Sequence, residues 1–360
     1  MTAIRSVLDQ QVSNLRVVVS DNSDKDSQRP LAAFCEKLSK STLLYVTPPR
    51  TLPMSRHWDW AMGQALEFGN AGHFIYLTDR SLFKPGALLN ITQLARQSPS
   101  KVISYDWVTI FDHLSPIVVE RQRQTGQLIE VSASRLLFLS SRSTFPHSLP
   151  RMMNCSVPRS LVERVQERFG NVFASTSPDY NFCYRSLQLV DSILYYDYAA
   201  FVSYAVLKSN GVLVLGISTK ATVDFGANVE LGGRRRNYAA PVPAFETGTN
   251  YIMHEYRLVQ RETASPKLPK VSLAHYLVRN VKELIAILAF KLPLSTLSVL
   301  ARARNRFREI FSLLSRPVAK HQPSREFGSI ADAIDYAIGF PPDDDTSVSH
   351  LDVLNDPAQS

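Results

Sequence analysis

Four polar groupings in this chain combine residue types that can do chemistry. Asp79-Arg80-Ser81 follows the apolar run Phe74 to Thr78 and precedes Lys84-Pro85-Gly86, so Asp79 stands at the carboxyl end of an expected buried strand. In open α/β sheets a carboxylate there meets ligands; in a plain turn it serves as a cap. Asp21-Asn22-Ser23-Asp24 ends the β-branched stretch Leu15 to Ser20 in the same manner. Ser177-Pro178-Asp179 has the form of a helix start, with Asp179 either its cap or a carboxylate set aside for function. Gly232-Gly233-Arg234-Arg235-Arg236 is a basic loop, read either as a solvated face or as a phosphate clamp, since guanidinium pairs phosphate bidentately. His57, His73 and His254 are isolated, and such histidines more often sit on surfaces or in cores than at acid/base centres.

These groups must be held by regular elements, and the apolar pattern supplies them. Ile4, Val7 and Leu8 mark a short helix, and Leu31, Phe34, Cys35 and Leu38 mark a second. Leu43 to Val46 reads as a strand closed by Pro48-Pro49, and Trp58, Ala61, Met62, Ala65 and Leu66 form one helical face. Pro85 suits the first turn of a helix bearing Leu88, Leu89 and Leu94, and Lys101 to Tyr105 is the next strand. Strands alternating with helices at near-even intervals predict βαβ units and a mainly parallel sheet flanked by helices. Polar clusters at two strand ends of such a sheet favour a nucleotide ligand. Neither Gly-x-Gly-x-x-Gly nor Gly-x-x-x-x-Gly-Lys occurs, which speaks against a dinucleotide or P-loop site.

Further on, Trp107 to Asp112 extends the sheet edge, and Pro116 to Val119 with Leu128 to Val131 reads as an antiparallel excursion. Ser156 onward starts a helix with Val162, Val165 and Phe169 inward and Gly170 closing it. Composition sets the outer bounds. The 360 residues are 45% hydrophobic and 20% charged, as in ordinary globular proteins with ample core. The net charge of +8 invites an anionic partner, yet Lys and Arg are spread along the chain without an aromatic-basic signature, which excludes nucleic acid as the expected one. Cys35, Cys155 and Cys183 lie far apart without metal spacing and read as small buried residues of a reducing compartment. No apolar run reaches the ~18 residues of a membrane span.

Taken in order, Val17-Val18-Val19-Ser20-Asp21-Asn22-Ser23, Pro53-Met54-x-x-x-Trp58-x-x-Ala61, Phe74-Ile75-Tyr76-Leu77-Thr78-Asp79 and Lys84-Pro85-Gly86-Ala87-Leu88 resemble the motifs of a family 2 glycosyltransferase. The resemblance covers roughly residues 1 to 220. It implies a GT-A (Rossmann-like) α/β fold, a nucleotide-diphosphate sugar as donor, and a glycan or lipid-linked hydroxyl acceptor. It further implies that Asp21 and Asn22 lie against the donor base and ribose. Asp79 would be the first carboxylate of an Asp-x-Asp element that holds Mg or Mn. Asp179, in a Pro-Asp-Tyr element, would be the general base. Two departures accompany it. Ser81 stands where the family has its metal-binding carboxylate, and a hydroxyl is a poor ligand for a hard cation. The family's first apolar strand, with its Pro-Thr-Tyr-Asn-like turn, has no counterpart, since the sequence opens on the first helix. Arg80, with Arg234, Arg235 and Arg236, would then meet the donor diphosphate directly.

The expected organisation is a glycosyltransferase-like domain over 1–260, with a nucleotide-sugar half at 1–105 and an acceptor half at 106–260. Tyr195 to Asp197 and Phe201 to Ala205 form its next strand segment, and Ser209-Asn210-Gly211 a turn near the donor. A helical amphipathic extension follows over 261–316. Its Arg302, Arg304, Arg306 and Arg308, set among leucines, suit an anionic membrane surface or a packed helix pair equally. Residues 317–360 read as a linker, a short helix at Ile330 to Ile338 and an acidic disordered tail. The expected function is sugar transfer in surface polysaccharide or glycolipid synthesis on the cytoplasmic face of the plasma membrane. The alternative is a non-catalytic binding relative with a degenerate donor and metal site.

Overall fold

Strand β9, Ser192–Ser203, runs through the centre of an eight-stranded sheet and pairs with three others. The computed structural model describes residues 1–38, 40–113, 115–120, 124–204, 239–243, 245, 247–291 and 325–339. Alongside β9 lie β5, Ile103–Phe111, in parallel, and β4, Ser81–Phe83, and β7, Leu128–Ser132, both antiparallel. On the other side β5 pairs antiparallel with β6, Ile117–Glu120, and β8, Cys155–Pro158. The ends are β3, His73–Phe74, on β8 and β10, Arg325–Phe327, on β6, again antiparallel. A separate parallel pair joins β1, Val17–Ser20, to β2, Leu43–Val46.

The sheet is therefore mixed and mostly antiparallel, which corrects the expectation of a mainly parallel one. The reason lies in the connections. A parallel pair needs a crossover, and β1–β2 has one in α2, Lys25–Cys35. The short return from β5 to β6 allows only the antiparallel direction. The run after Phe74 differs as well. Residues 75–78 are half-buried and outside the ladder, so Asp79 sits in a turn rather than at the end of a five-residue buried strand. Ser81–Phe83, just after the polar cluster, is itself a strand. Pro85 precedes the helix that it was expected to open, α4, Ala87–Gln97, whose Leu89 faces solvent beside buried Leu88 and Ile91.

The helices follow local rules closely. Asp24 caps α2 by accepting from Ser27 N at 2.9 Å. Gly170, at φ +78°, closes α6, Arg159–Phe169, in a left-handed conformation that costs a glycine little. Around these pack α1, Thr2–Leu8; α3, Met54–Glu67; α5, Ala133–Ser141; and α7, Pro178–Leu187. Two longer helices follow, α8, Gly248–Thr263, and α9, Leu273–Lys291.

The largest core cluster gathers Leu136, Val162, Val165, Phe182, Tyr184, Tyr195, Tyr256 and Tyr276 from α5 through α9 and β9. Most of these side chains are fully buried, and burying a leucine- or phenylalanine-sized group contributes about 1.5–3 kcal/mol. A second cluster, with Phe83, Ile91, Tyr105 and Phe201, holds α4 on the sheet. The short helix expected at Ile330 to Ile338 is present as α10, capped by Ser329, with Ala333 and Ala337 buried over Val108, Ile110 and Val202. It and β10 return residues 325–339 to the sheet edge. Arg234, Arg235, Arg236, Asn210, residues 292–324 and the tail from 340 lie outside the described residues.

Candidate active site

The surroundings of Asp179 are built by three segments that converge over the middle of β5. A register shift in the β5–β9 pairing falls at Asp106 and Trp107, where Tyr105 opposes Tyr196 but Asp106 opposes Ala199. Such irregularities re-aim side chains. Asp106 points into the protein, with no exposure, and Trp107 is half-exposed. His147 stacks on Trp107 with ring centroids 4.6 Å apart and planes 9° from parallel, and its Nδ1 lies 2.6 Å from Asp106 Oδ1. The Arg151 guanidinium packs 4.4 Å from the Trp107 ring centroid and donates to Tyr180 Oη at 3.1 Å.

The segment carrying His147 and Arg151 is held by Asn154. This buried amide donates to the carbonyls of Tyr105, His147 and Leu149 and accepts from Arg151 N. Met152 within it adopts φ +57°, a conformation that a non-glycine residue keeps only where surrounding contacts hold it.

Asp179 occupies the first turn of α7 behind Pro178, as the helix-start pattern predicts. It is half-buried. Burial pushes its carboxyl above the ordinary carboxylate range, and nearby Arg151 and the backbone N–H groups of Tyr180 and Asp179 pull it back. Asp179 does not cap the helix through its side chain among the described contacts.

Behind the α7 start lies a residue that sequence reasoning missed. Glu255 of α8 is fully buried, and its Oε1 accepts from Thr176 N at 3.0 Å, Thr176 Oγ1 at 2.7 Å and Ser177 N at 2.8 Å. Its Oε2 accepts from Asn181 Nδ2 at 2.9 Å. Burial raises its pKa to about 7 against these hydrogen bonds. Neighbouring His254 accepts from Ala239 N through Nδ1 at 2.8 Å and lies 3.2 Å from Ser175 Oγ through Nε2; burial, with Arg261 nearby, pushes it down to about 4. The signal was a charged pair set inside the apolar stripe Ile252, Met253, Tyr256 and Val259.

The remaining sequence candidates are not brought to this cluster by any described contact. Asp21 is buried and accepts from Ser23 N, Ser23 Oγ and Tyr45 Oη. Asn22 makes a two-way bond with the Leu52 backbone, at 2.8 and 2.9 Å. Both therefore pin the ends of β1 and β2 and the loop before α3, where His57 lies 2.7 Å from Ser20 Oγ. His73 lies within hydrogen-bond distance of Ser156 Oγ and the Pro99 carbonyl. Asp79 is exposed, with Arg80 Nε 3.6 Å from its Oδ1. Ser81 is buried and lies 3.0 Å from Thr78 Oγ1. A divalent cation does not fit this set. Asp79 faces a guanidinium, Ser81 offers a hydroxyl already bonded, and no group of three metal-binding side chains occurs among the described residues.

No family model matches the chain, and no curated protein matches it. Among solved structures it is similar to S. aureus TarS at 11% identity and a TM-score of 0.42, covering 67% of this chain and 43% of that one. It thus spans less than half of the TarS chain. TarS 1-349 in complex with UDP-GlcNAc, and the same segment with UDP, match at 11% identity with TM-scores of 0.42 and 0.44, each over 73% of this chain and 87% of the other. A likeness this distant adds nothing to the chemistry of the residues described above.

Proposed function

We propose that this chain is a glycosyltransferase of the family 2 type. It moves a sugar from a nucleotide-diphosphate donor to a hydroxyl of a glycan or lipid-linked acceptor, in surface polysaccharide or glycolipid synthesis. Asp179 acts as general base. The observation that carries the reading is the setting of Asp179: half-exposed at the start of α7, raised in proton affinity by burial, and kept ionisable by Arg151. A carboxylate so poised takes the acceptor hydroxyl proton as the oxygen attacks the sugar. The ordered motifs from Val17 to Leu88 support the donor class.

Departure of a diphosphate builds negative charge, which fixed cations must meet. Arg80 beside Asp79 is one such group, and Arg234, Arg235 and Arg236 are offered as further ones. No step is assigned to a metal. The reading has the protein act on the cytoplasmic face of the plasma membrane. There α9 would rest on an anionic bilayer through exposed Leu273, Leu277, Val278, Val281 and Ile285, with Arg279 and Lys282 alongside. No helix among the described residues is long and apolar enough to cross a membrane.

The test is transfer from a panel of nucleotide sugars to a verified acceptor, with donor binding followed by thermal shift. Asp179→Asn should still bind donor and lose about 100-fold or more in turnover. Wild-type turnover in that variant sinks Asp179 as base. A second reading, a binding protein without turnover, is favoured by one observation: the Asp21 and Asn22 side chains are already engaged within the protein. Donor binding without transfer by the wild type would select it.

A further inference from the structure

The Arg151 guanidinium acts on Asp179 at a distance but makes no direct ion pair among the described residues. Among the described residues no carboxylate oxygen lies within 4.0 Å of it, and its buried Nε has no hydrogen-bond partner. Among the described residues it donates to the Tyr180 hydroxyl, and it rests on the Trp107 ring. Half-buried, with its Nε out of water and the neighbouring carboxylate beyond ion-pair distance, this guanidinium has N–H donors left to offer an anion. Nor is it a loosely held surface group. The Asn154 side chain ties the loop before it, at the His147 and Leu149 carbonyls, to the Tyr105 carbonyl of β5, and accepts from Arg151 N itself.

His147, on the same loop and against the same Trp107 ring, is oriented by buried Asp106 through Nδ1. A guanidinium held against an aromatic platform is suited to donate to an oxyanion.

We infer that Arg151, on its Trp107 platform, forms an oxyanion subsite for a phosphate group next to Asp179, separate from Asp79-Arg80-Ser81. The reading of Asp179 as the acceptor-side base bears only on which substrate brings the phosphate: the donor diphosphate as it departs, or a phosphate carried by the acceptor.

Calorimetric titration tests the site with inorganic pyrophosphate, UDP and glycerol phosphate, with uridine as the probe that lacks phosphate. Pyrophosphate binding does not require sugar transfer, so the site can stand even where the transferase reading falls. Arg151→Gln should weaken pyrophosphate binding at least ~10-fold, the scale of a charge-assisted bidentate contact, and leave uridine unchanged. A parallel loss for UDP assigns the donor as source, and a loss for glycerol phosphate assigns the acceptor. Asp179→Asn, which removes the neighbouring negative charge, should tighten pyrophosphate binding several-fold and serves where Arg151→Gln does not fold. Wild-type affinity for all three phosphate probes in Arg151→Gln overturns the inference. So does Asp179→Asn binding pyrophosphate no more tightly than wild type.

Discussion

Glu255→Gln should change how stability depends on pH. Its carboxyl, ordinarily at 4.5, is raised to about 7 in the folded protein because burial disfavours the charge more than four hydrogen bonds favour it. Below pH ~4.5 both folded and unfolded states hold the proton, and the group contributes no difference. As pH rises the unfolded state releases it first, so stability falls until the folded state also ionises near pH 7. The gap is about 2.5 pH units, at ~1.4 kcal/mol each, which amounts to roughly 3 kcal/mol of stability lost across that window.

His254, beside it, works in the opposite sense. Its imidazole is held at about 4 against an ordinary 6.5, so the unfolded state binds the extra proton and stability rises with pH through that interval. The two slopes oppose each other from pH ~4.5 to ~6.5, and the wild-type curve should be shallow there. In Glu255→Gln the opposing slope is gone. The glutamine oxygen can still accept from Thr176 and Ser177, and its amide can donate to Asn181 Oδ1, which has no partner among the described residues, once that side chain turns over. Urea unfolding by tryptophan fluorescence at half-unit pH steps measures both proteins. The difference, variant minus wild type, should climb by about 3 kcal/mol from pH 4.5 to 7.5. A flat difference would refute the assignment of a buried, proton-retaining carboxylate.

Turnover should survive excess EDTA and gain little from added Mn²⁺ or Mg²⁺, because Asp79 faces Arg80 and Ser81 lacks a carboxylate; complete loss in EDTA with Arg80→Ala unimpaired would rule out an arginine in the metal's role. Liposome co-sedimentation should recover the full chain with vesicles containing anionic lipid and not with neutral ones. Val281→Glu, within the exposed stripe of α9, should reduce that recovery; equal recovery in the supernatant for both lipid mixtures would leave α9 without a bilayer role.

Elements governed by neighbours in sequence were legible before any coordinates. The Pro178-Asp179 helix start, the Gly170 stop, the short helix at 330–338 and the strands at 43–46 and 128–131 all follow from capping, glycine conformation and apolar period. The candidate base was visible for the same reason, since a Pro-Asp helix start is a local pattern. Strand direction was not, because it depends on which distant strand supplies the hydrogen bonds. The short run Phe74 to Thr78 shows this: its composition suits a strand, yet only His73 and Phe74 find a partner, on β8. The site's electrostatics were equally hidden. Asp106 meets His147 across 41 positions and Glu255 meets Thr176 across 79, and no periodicity links such pairs. Only packing brings a carboxylate from α8 beneath the start of α7, or sets Arg151 against Trp107 near Asp179, because burial and pairing are properties of the folded surroundings rather than of any stretch of chain.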